Sequence, residues 1–403
     1  MVQVSAFFSK MIAYITVVFL LIGAFLGAGK VDLPALPETA DASFAEEAYP
    51  DRYQKTVSSP AVRDLARLLD ADASFPIPGI PYAAVETDGG AISLCDSMTP
   101  QGVCFAGEHG EYLLISAYCN DEAFENSVYH KDIAEEKHES VIYILDASDG
   151  ALLSTATVDS YSAAAKANKT GAPPHAGGIA YLDGYLWIAK TNGILAVDLA
   201  QIEALAESGE KTGRLRCAAA KETFFGTDGE EIAEYCSDEA ISAFRLDTRA
   251  SFMSDYNGLL LVGEYQTEDT AALAAYEIAF GDGGMTMREQ FRAEIPLHAQ
   301  GAYILDRDGE TYLFVTCSNG ARWTGELSVY RLSVDGANAE KTALAAKIPL
   351  PNLCEDLDVK DGKLYICYES AANVYYAWPE AADRSLLPCD RVTAIDIDGL
   401  LSK

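Results

Sequence analysis

The sequence is poor in basic residues: it has 29 Lys and Arg against 61 Asp and Glu, a formal net charge of -32. An acidic surface repels phosphate backbones, so the composition excludes nucleic acid as an expected partner. The chain also contains no H-E-x-x-H zinc motif, no C-x-x-C pair and no G-x-S-x-G nucleophile motif. We therefore predict no metal and no cofactor, with calcium in the acidic turns as the open alternative, although a complete D-x-D-x-D-G loop is absent.

One short apolar phrase occurs five times, and each copy ends in a small residue. Such runs of β-branched and aromatic residues predict buried strands. Each copy follows a turn that contains Gly, as in Asp183-Gly184, because a tight hairpin needs residues that accept positive φ. A further strand follows each copy. The copies lie at residues 112–116, 185–189, 259–263, 312–316 and 363–367.

Five such units in series, with little helix between them, predict an all-β fold, a five-bladed β-propeller over residues 81–403. We expect residues 91–95 to close the ring beside the C-terminal strand. Residues 31–80 read as a linker with a short helix at 59–69, for which Ser59 is the N-cap and Pro60 the first residue.

The N-terminal segment, residues 1–30, contains a run of 18 residues without charge from Met11 to Ala28. This length fits either a signal peptide or a hydrophobic helix that anchors the chain in a membrane. Both alternatives predict an extracytoplasmic location, membrane-anchored or secreted, with the membrane contacted through the N-terminal helix.

Long segments between the predicted strands fall at 119–139, 159–174, 200–248 and 369–390. In an antiparallel arrangement all four project from the same face, and functional residues concentrate where long loops are. Trp187 and Trp323 are expected to be packing residues. Of the two, Trp323 is the better candidate for a ligand-binding platform, because it lies in a loop on this face.

Polar residues recur at the start of the innermost strands. One aligned position holds Gln101, Gly177, Ser251, Gln300 and Glu355, and the position two residues earlier holds Thr99, His175, Arg249, His298 and Leu353. Positions i and i+2 share a strand face, so these side chains are expected at the mouth of one central channel. Lys190 and Glu264, at the ends of the neighbouring strands, are expected at the same mouth. The predicted ligand-binding set is Gln101, His175, Lys190, Arg249, Glu264, His298, Gln300 and Glu355.

Two functions are consistent with this ring. The first is binding of a protein, peptide, glycan or small molecule, with Arg249 as the partner of an anion and Glu355 as the partner of an amine. The second is an enzyme, a hydrolase or acyl transferase, with Glu355 and either His298 or His175 as acid–base groups. The alternative without a specific function is that these polar residues only hold water in a channel.

Nine cysteines in a chain predicted to lie outside the cytoplasm suggest disulfides with one thiol left over. Cys217 and Cys236 bracket part of the longest insertion, so they are the predicted pair.

The chain resembles secreted bacterial β-propellers of the broad YVTN/NHL-like kind in the phrase Pro100-Gln101-Gly102, in His175-Ala176-Gly177-Gly178 and in the five apolar phrases. Its Gln101-Gly102 pair and Glu355 also resemble five-bladed glutaminyl cyclases. The first resemblance implies architecture more than function. The second implies an acyl-transfer reaction with its site at the channel mouth.

Overall fold

The computed structural model describes residues 56, 58–78, 83–86, 92–95, 98–119, 140–159, 175–190, 193–225, 231–234, 249–281, 284–376, 379 and 382–402. Strands make up 61% of the structure and helices 10%, which confirms the all-β class. No helix within these ranges is long and apolar enough to cross a membrane. The predicted hydrophobic helix, residues 11–28, lies outside the described residues, so export stays a prediction.

The short helix predicted at residues 59–69 is present. Ser59 caps it, because its Oγ accepts a hydrogen bond from the Ala61 N–H at 3.3 Å. A 3-10 turn, Pro60–Val62, leads into helix α1, Arg63–Leu68. Val62, Leu65 and Leu68 are buried and pack against strands near the C-terminus. The amphipathic pattern of this segment therefore fastens it to the folded sheets.

The strands in the first half of the chain are β1 (Leu69–Pro76), β2 (Ala83–Glu86), β3 (Ile92–Cys95), β4 (Met98–Ala106), β5 (Tyr112–Cys119), β6 (Val141–Asp146), β7 (Leu152–Asp159), β8 (Ile179–Leu182), β9 (Tyr185–Lys190), β10 (Gly193–Asp198), β11 (Thr212–Phe225) and β12 (Glu231–Glu234). Helix α2, Leu199–Ser208, lies between β10 and β11.

The strands in the second half are β13 (Phe252–Tyr256), β14 (Leu259–Gly263), β15 (Ala271–Gly281), β16 (Gly284–Ile295), β17 (Ala299–Arg307), β18 (Glu310–Cys317), β19 (Gly325–Asp335), β20 (Asn338–Leu350), β21 (Cys354–Lys360), β22 (Lys363–Tyr368) and β23 (Arg391–Asp396). Helix α3, Ile397–Leu401, follows the last strand.

Most consecutive strands pair antiparallel, and three larger sheets result. One follows the order β4-β5-β6-β7-β11-β10-β9-β8, with β12 beside β11; one follows β13-β14-β15-β16-β20-β19-β18-β17; the third is β1-β23-β22-β21. A separate hairpin joins β2 and β3. The two long sheets curl until their end strands contact, β4 against β8 and β13 against β17. The five strands β4, β8, β13, β17 and β21 contact one another in cyclic order about a common axis.

The predicted five-bladed propeller is wrong, because the strands do not separate into five sheets. Residues 212–216 at the start of β11 pair in parallel with residues 155–159 of β7, and residues 338–339 of β20 pair in parallel with residues 292–293 of β16. These parallel contacts fuse neighbouring groups of strands into two nearly closed, barrel-like eight-strand sheets beside one four-strand sheet.

Two further predictions about chain segments are wrong. The C-terminal strand β23 pairs with β1, with Leu69 opposite Ile395, and not with the predicted segment 91–95, of which residues 92–95 pair with β2. Residues 200–222 are not an insertion between groups of strands. They form α2 and most of β11, whose residues 217–222 pair with β10.

The hairpin turns follow the sequence pattern. Asp183 and Gly184 have φ of 52° and 81°, and Asp361 and Gly362 have φ of 51° and 74°. Two consecutive residues with positive φ form the turn whose twist matches that of the flanking strands, which explains the Asp-Gly and Asn-Gly pairs. These tight turns lie at one end of the sheets, so the longer connections lie at the opposite end, the loop face.

Candidate functional site

A cavity of about 270 Å³ opens at the loop face, where the five axial strands begin. The five residues that the sequence aligned, one at or just before each axial strand (β4, β8, β13, β17 and β21), all line it: Gln101, Gly177, Ser251, Gln300 and Glu355. We name it the acidic cavity. Its lining residues are Gln101, Tyr118, His175, Gly177, Gly178, Ala250, Ser251, Tyr265, Gln300, Glu355, Glu369 and Tyr375.

The wall of the cavity is held by backbone packing that only glycine permits. A Cβ on Gly177 would lie 2.4 Å from the Ser251 carbonyl oxygen, and a Cβ on Gly178 would lie 2.4 Å from the Phe252 Cα. The Gly178 N–H donates to the Ser251 carbonyl at 2.9 Å. The segment before β8 and the segment before β13 therefore touch directly, which places the residues of two groups of strands in one wall.

Hydroxyl groups join other axial strands in the same way. Ser116 Oγ accepts from the Gly102 N–H and donates to the Gly177 carbonyl, both at 2.8 Å. Thr316 Oγ1 donates to the Glu355 carbonyl at 2.6 Å. These bonds satisfy buried backbone atoms of Gly102, Gly177 and Glu355, which belong to three different axial segments. The ends of the axial strands are therefore held in a fixed arrangement.

Two buried glutamates dominate the chemistry of the acidic cavity. Glu355 is 4% exposed and accepts a hydrogen bond from Gln300 Nε2 at 2.9 Å. Glu369 is 5% exposed and accepts from Gln101 Nε2 at 2.8 Å. Tyr375 also hydrogen bonds to Glu369. The two carboxyl groups thus have neutral donors as partners.

Burial disfavours the charged form of both glutamates. It raises the pKa of Glu369 to about 8, against the opposing effect of hydrogen bonds from Tyr375 and Gln101. Burial likewise raises the pKa of Glu355 well above its usual range, and the charges of Glu369 and Asp356 raise it further. At neutral pH Glu369 therefore holds a proton, and a cation in the cavity would favour its release.

A third carboxyl group lies against the cavity wall. Asp356 is 1% exposed, and its Oδ2 accepts from the Ile179 N–H at 2.9 Å. A Cβ on the lining residue Gly178 would lie 2.8 Å from this same oxygen. Asp356 Oδ1 has no hydrogen-bond partner among the residues that the structure describes. Burial raises the pKa of Asp356 well above its usual range, so a third carboxyl group that disfavours its charged form lies behind the cavity wall.

Aromatic rings complete the cavity. The Tyr118 and His175 rings pack with their centroids 4.2 Å apart. Desolvation by the surrounding protein lowers the pKa of His175, although part of the residue stays exposed. Tyr265 lines the cavity, and its hydroxyl lies 3.4 Å from His298 Nδ1. His298 itself is not part of the lining.

The structure divides the predicted ligand-binding set. Gln101, His175, Gln300 and Glu355 line the acidic cavity, whereas Lys190, Arg249, Glu264 and His298 do not. The backbone explains the division at His298, which has φ of 61°; Leu353, at the aligned position before Glu355, has φ of 53°. Left-handed residues break the alternation of an extended strand, so the face two residues before Gln300 or Glu355 cannot be read by strand periodicity.

The prediction missed Gly178 and Ala250 and four lining residues with larger polar side chains: Tyr118, Tyr265, Glu369 and Tyr375. Three of them occupy one aligned position, two residues after the end of an apolar phrase. The prediction took the residue one position earlier, Lys190 and Glu264. A shift of one residue along a strand exchanges its faces, so this was an error of register.

Other predicted features are accounted for as follows. Cys104, Cys317, Cys354, Cys367 and Cys389 are buried free thiols. Cys236 lies outside the described residues, so its disulfide with Cys217 stays a prediction. No group of three or more His, Cys, Asp or Glu within the described ranges is arranged to hold a metal ion. The sequence matches no protein-family model and no curated protein.

Replacement of Glu369 by Gln should change the pH dependence of stability. The folded pKa, about 8, lies above that of the unfolded chain, about 4.3, so the folded state holds a proton that the unfolded state has lost between these values. This contribution is present below pH 4.3 and is lost as the pH rises to 8. Relative to the natural chain, Glu369→Gln should gain free energy of unfolding over this window, up to roughly 5 kcal/mol at its upper end.

Urea unfolding at several pH values between 5 and 9 tests this expectation. Glu268→Gln, on an exposed loop, is the matched control and should leave the pH profile unchanged. A Glu369→Gln profile parallel to that of the natural chain would show that Glu369 does not carry the bound proton.

Proposed function

We propose that this chain is a binding protein for a ligand that carries a primary amine, and that the ammonium group lies in the acidic cavity between Glu355 and Glu369. The observation that carries the proposal is the pair of buried carboxyl groups at one opening. Among the described residues that line the cavity, none is Lys or Arg. A cationic ligand supplies the charge that these carboxyl groups need in order to ionise.

The energetics support the same ligand. Two buried carboxyl groups with raised pKa values destabilise the folded chain at neutral pH, whereas apolar residues of similar size would not. Local departures of this kind are typical of sites kept for function. The mixed-charge site predicted from the sequence included Arg249 as an anion partner, but Arg249 is exposed and lies outside the lining, so we assign the cavity to cations.

The loop face is the surface at which we expect the partner to arrive. The acidic cavity opens there, and the predicted export segment, residues 11–28, would expose this surface outside the cytoplasm. The ligand classes predicted from the sequence, a protein, a peptide, a glycan or a small molecule, are thereby narrowed to those that carry an amine. The enzymatic alternative stays a prediction.

Calorimetric titration with n-butylamine and 1-butanol at pH 7 tests the proposal. The two probes share their carbon chain, and only the amine is charged. We expect n-butylamine to bind at least about tenfold more tightly, since hydrogen bonds to charged groups contribute about 1.5–3 kcal/mol. Sodium acetate, the anionic control, should not bind. Equal affinity for amine and alcohol, or binding of acetate alone, would refute the proposed function.

A further inference from the structure

We infer that the acidic cavity and the apolar surface beside it form one docking site for a basic segment of a protein partner, which inserts a lysine side chain. This inference rests on the proposed function and specifies its ligand. It follows from three observations: exposed apolar residues on the loop face, a rigid connection between them and the cavity, and the arrangement of the two carboxyl groups.

Large apolar side chains are exposed on the loop face although the fold does not use them. Trp323 is 67% exposed and Leu386 is 45% exposed. Tyr265, which lines the cavity, is 37% exposed, as is Leu297 next to His298. Exposed tryptophan and tyrosine are the residue types that dominate protein interfaces. We name Trp323 and Leu386 the apolar rim.

Hydrogen bonds connect the apolar rim to the cavity. The Ser385 N–H donates to the carbonyl of Tyr375, a lining residue, at 2.8 Å, and the next amide, Leu386 N–H, donates to the Ala321 carbonyl at 3.2 Å. The loop of Trp323 and the loop of Leu386 are thus tied to each other and to the cavity wall. A ligand that reaches both regions meets surfaces whose relative position is already fixed.

Asn352 makes this connection stiffer. Its fully buried side chain donates through Nδ2 to the Ala321 carbonyl at 2.9 Å and to Ser385 Oγ at 2.8 Å, and its Oδ1 accepts from the Leu387 N–H at 2.7 Å. Three bonds from one side chain hold both loops at the point where the chain enters β21. A preformed surface loses little conformational entropy on binding, which favours a specific partner.

The carboxyl groups favour lysine over arginine. Glu355 Oε1 already accepts from Gln300, and Glu369 Oε2 already accepts from Gln101. An amide donor thus takes one acceptor position on each carboxylate, which disfavours the two parallel bonds that the planar fork of a guanidinium makes to one carboxylate. An ammonium is a compact charge that can bond to one oxygen of each group. The flexible stem of lysine also reaches into a cavity while the partner's backbone stays at the apolar rim.

The net charge of -32 supports a positively charged partner. An acidic protein attracts a basic partner over distances near the Debye length and repels acidic ones, which raises the association rate and excludes wrong partners. A free amine of the same charge would gain the same attraction but would not contact Trp323. The apolar rim therefore distinguishes a macromolecular ligand from a small amine.

The test compares the peptide Ac-Gly-Leu-Lys-Leu-Gly-NH2, which has no free amino terminus, with n-butylamine. We expect the peptide to bind more tightly than n-butylamine, and its acetyl-lysine and arginine versions to bind at least tenfold more weakly. Trp323→Ala should weaken the peptide about fivefold or more and leave n-butylamine unchanged. Leu344→Ala, which removes a side chain 54% exposed on β20, should change neither affinity.

The outcomes separate this inference from the proposed function. If n-butylamine binds but the peptide is no tighter, or if Trp323→Ala leaves the peptide affinity unchanged, the docking site is wrong while the amine site stands. If the arginine peptide binds as well as the lysine peptide, the assignment to lysine is wrong. If n-butylamine does not bind at all, the proposed function itself fails.

Discussion

Gly178→Ala is expected to lower the free energy of unfolding by about 3 kcal/mol or more, a large effect for the addition of one methyl group. The added Cβ would lie 2.4 Å from the Phe252 Cα and 2.6 Å from the Met253 nitrogen. Both atoms belong to the backbone of β13, so no side-chain rotation relieves the overlap. The two axial segments must move apart, and with them one wall of the acidic cavity.

Gly184→Ala is the matched control. Gly184 lies in the turn between β8 and β9 with φ of 81°, and a Cβ there meets no atom within 4 Å. This variant should lose only the conformational cost of a left-handed alanine, about 1–2 kcal/mol. Urea unfolding of both variants measures the difference. An equal loss at the two positions would show that close approach of the axial segments does not limit residue 178.

Glu355→Gln is expected to weaken n-butylamine binding by about 10- to 100-fold while the chain stays folded. Gln keeps the size of the side chain and an oxygen that accepts from Gln300 Nε2, but it cannot become negatively charged. Because burial raises the pKa of Glu355, its neutral replacement should not lower the free energy of unfolding. Affinity and stability should therefore change independently.

Glu264→Gln is the control on the same face, since Glu264 was predicted from the sequence but lies outside the cavity lining. Its affinity for n-butylamine should equal that of the natural chain. Calorimetry and thermal unfolding of both variants measure the comparison. If Glu264→Gln and Glu355→Gln weaken binding equally, long-range charge and not contact in the cavity determines affinity.

Three of the predicted site residues lie where the turn glycines fixed the register of the axial strands. Gln101, Gln300 and Glu355 were found because the turn glycines set the register of the axial strands, and register carries side chains to one face. Arg249 and His298 were placed wrongly because the strand pattern was continued past its end, where His298 has φ of 61°. Glu369 was missed by a single position.

The fold was predictable at the level of strands and not at the level of sheets. The apolar phrases became β5, β9, β14, β18 and β22, and the Asp-Gly turns formed as expected. The parallel contact of residues 212–216 with β7 has no local signal, because it joins segments separated by three strands and α2. Tertiary contacts of this kind join the strands into larger sheets, which is why the five-bladed propeller prediction was wrong.

The measurement that tests the central claim most directly is the number of protons exchanged when n-butylamine binds at pH 7. It is obtained by calorimetry in buffers of different ionisation enthalpy. Because the buried pair holds a proton that an ammonium displaces, the natural chain should release about one proton per bound amine, and the Glu355→Gln/Glu369→Gln double variant none. Binding without proton release by the natural chain, or equal release by the double variant, would contradict a carboxyl pair that receives an amine.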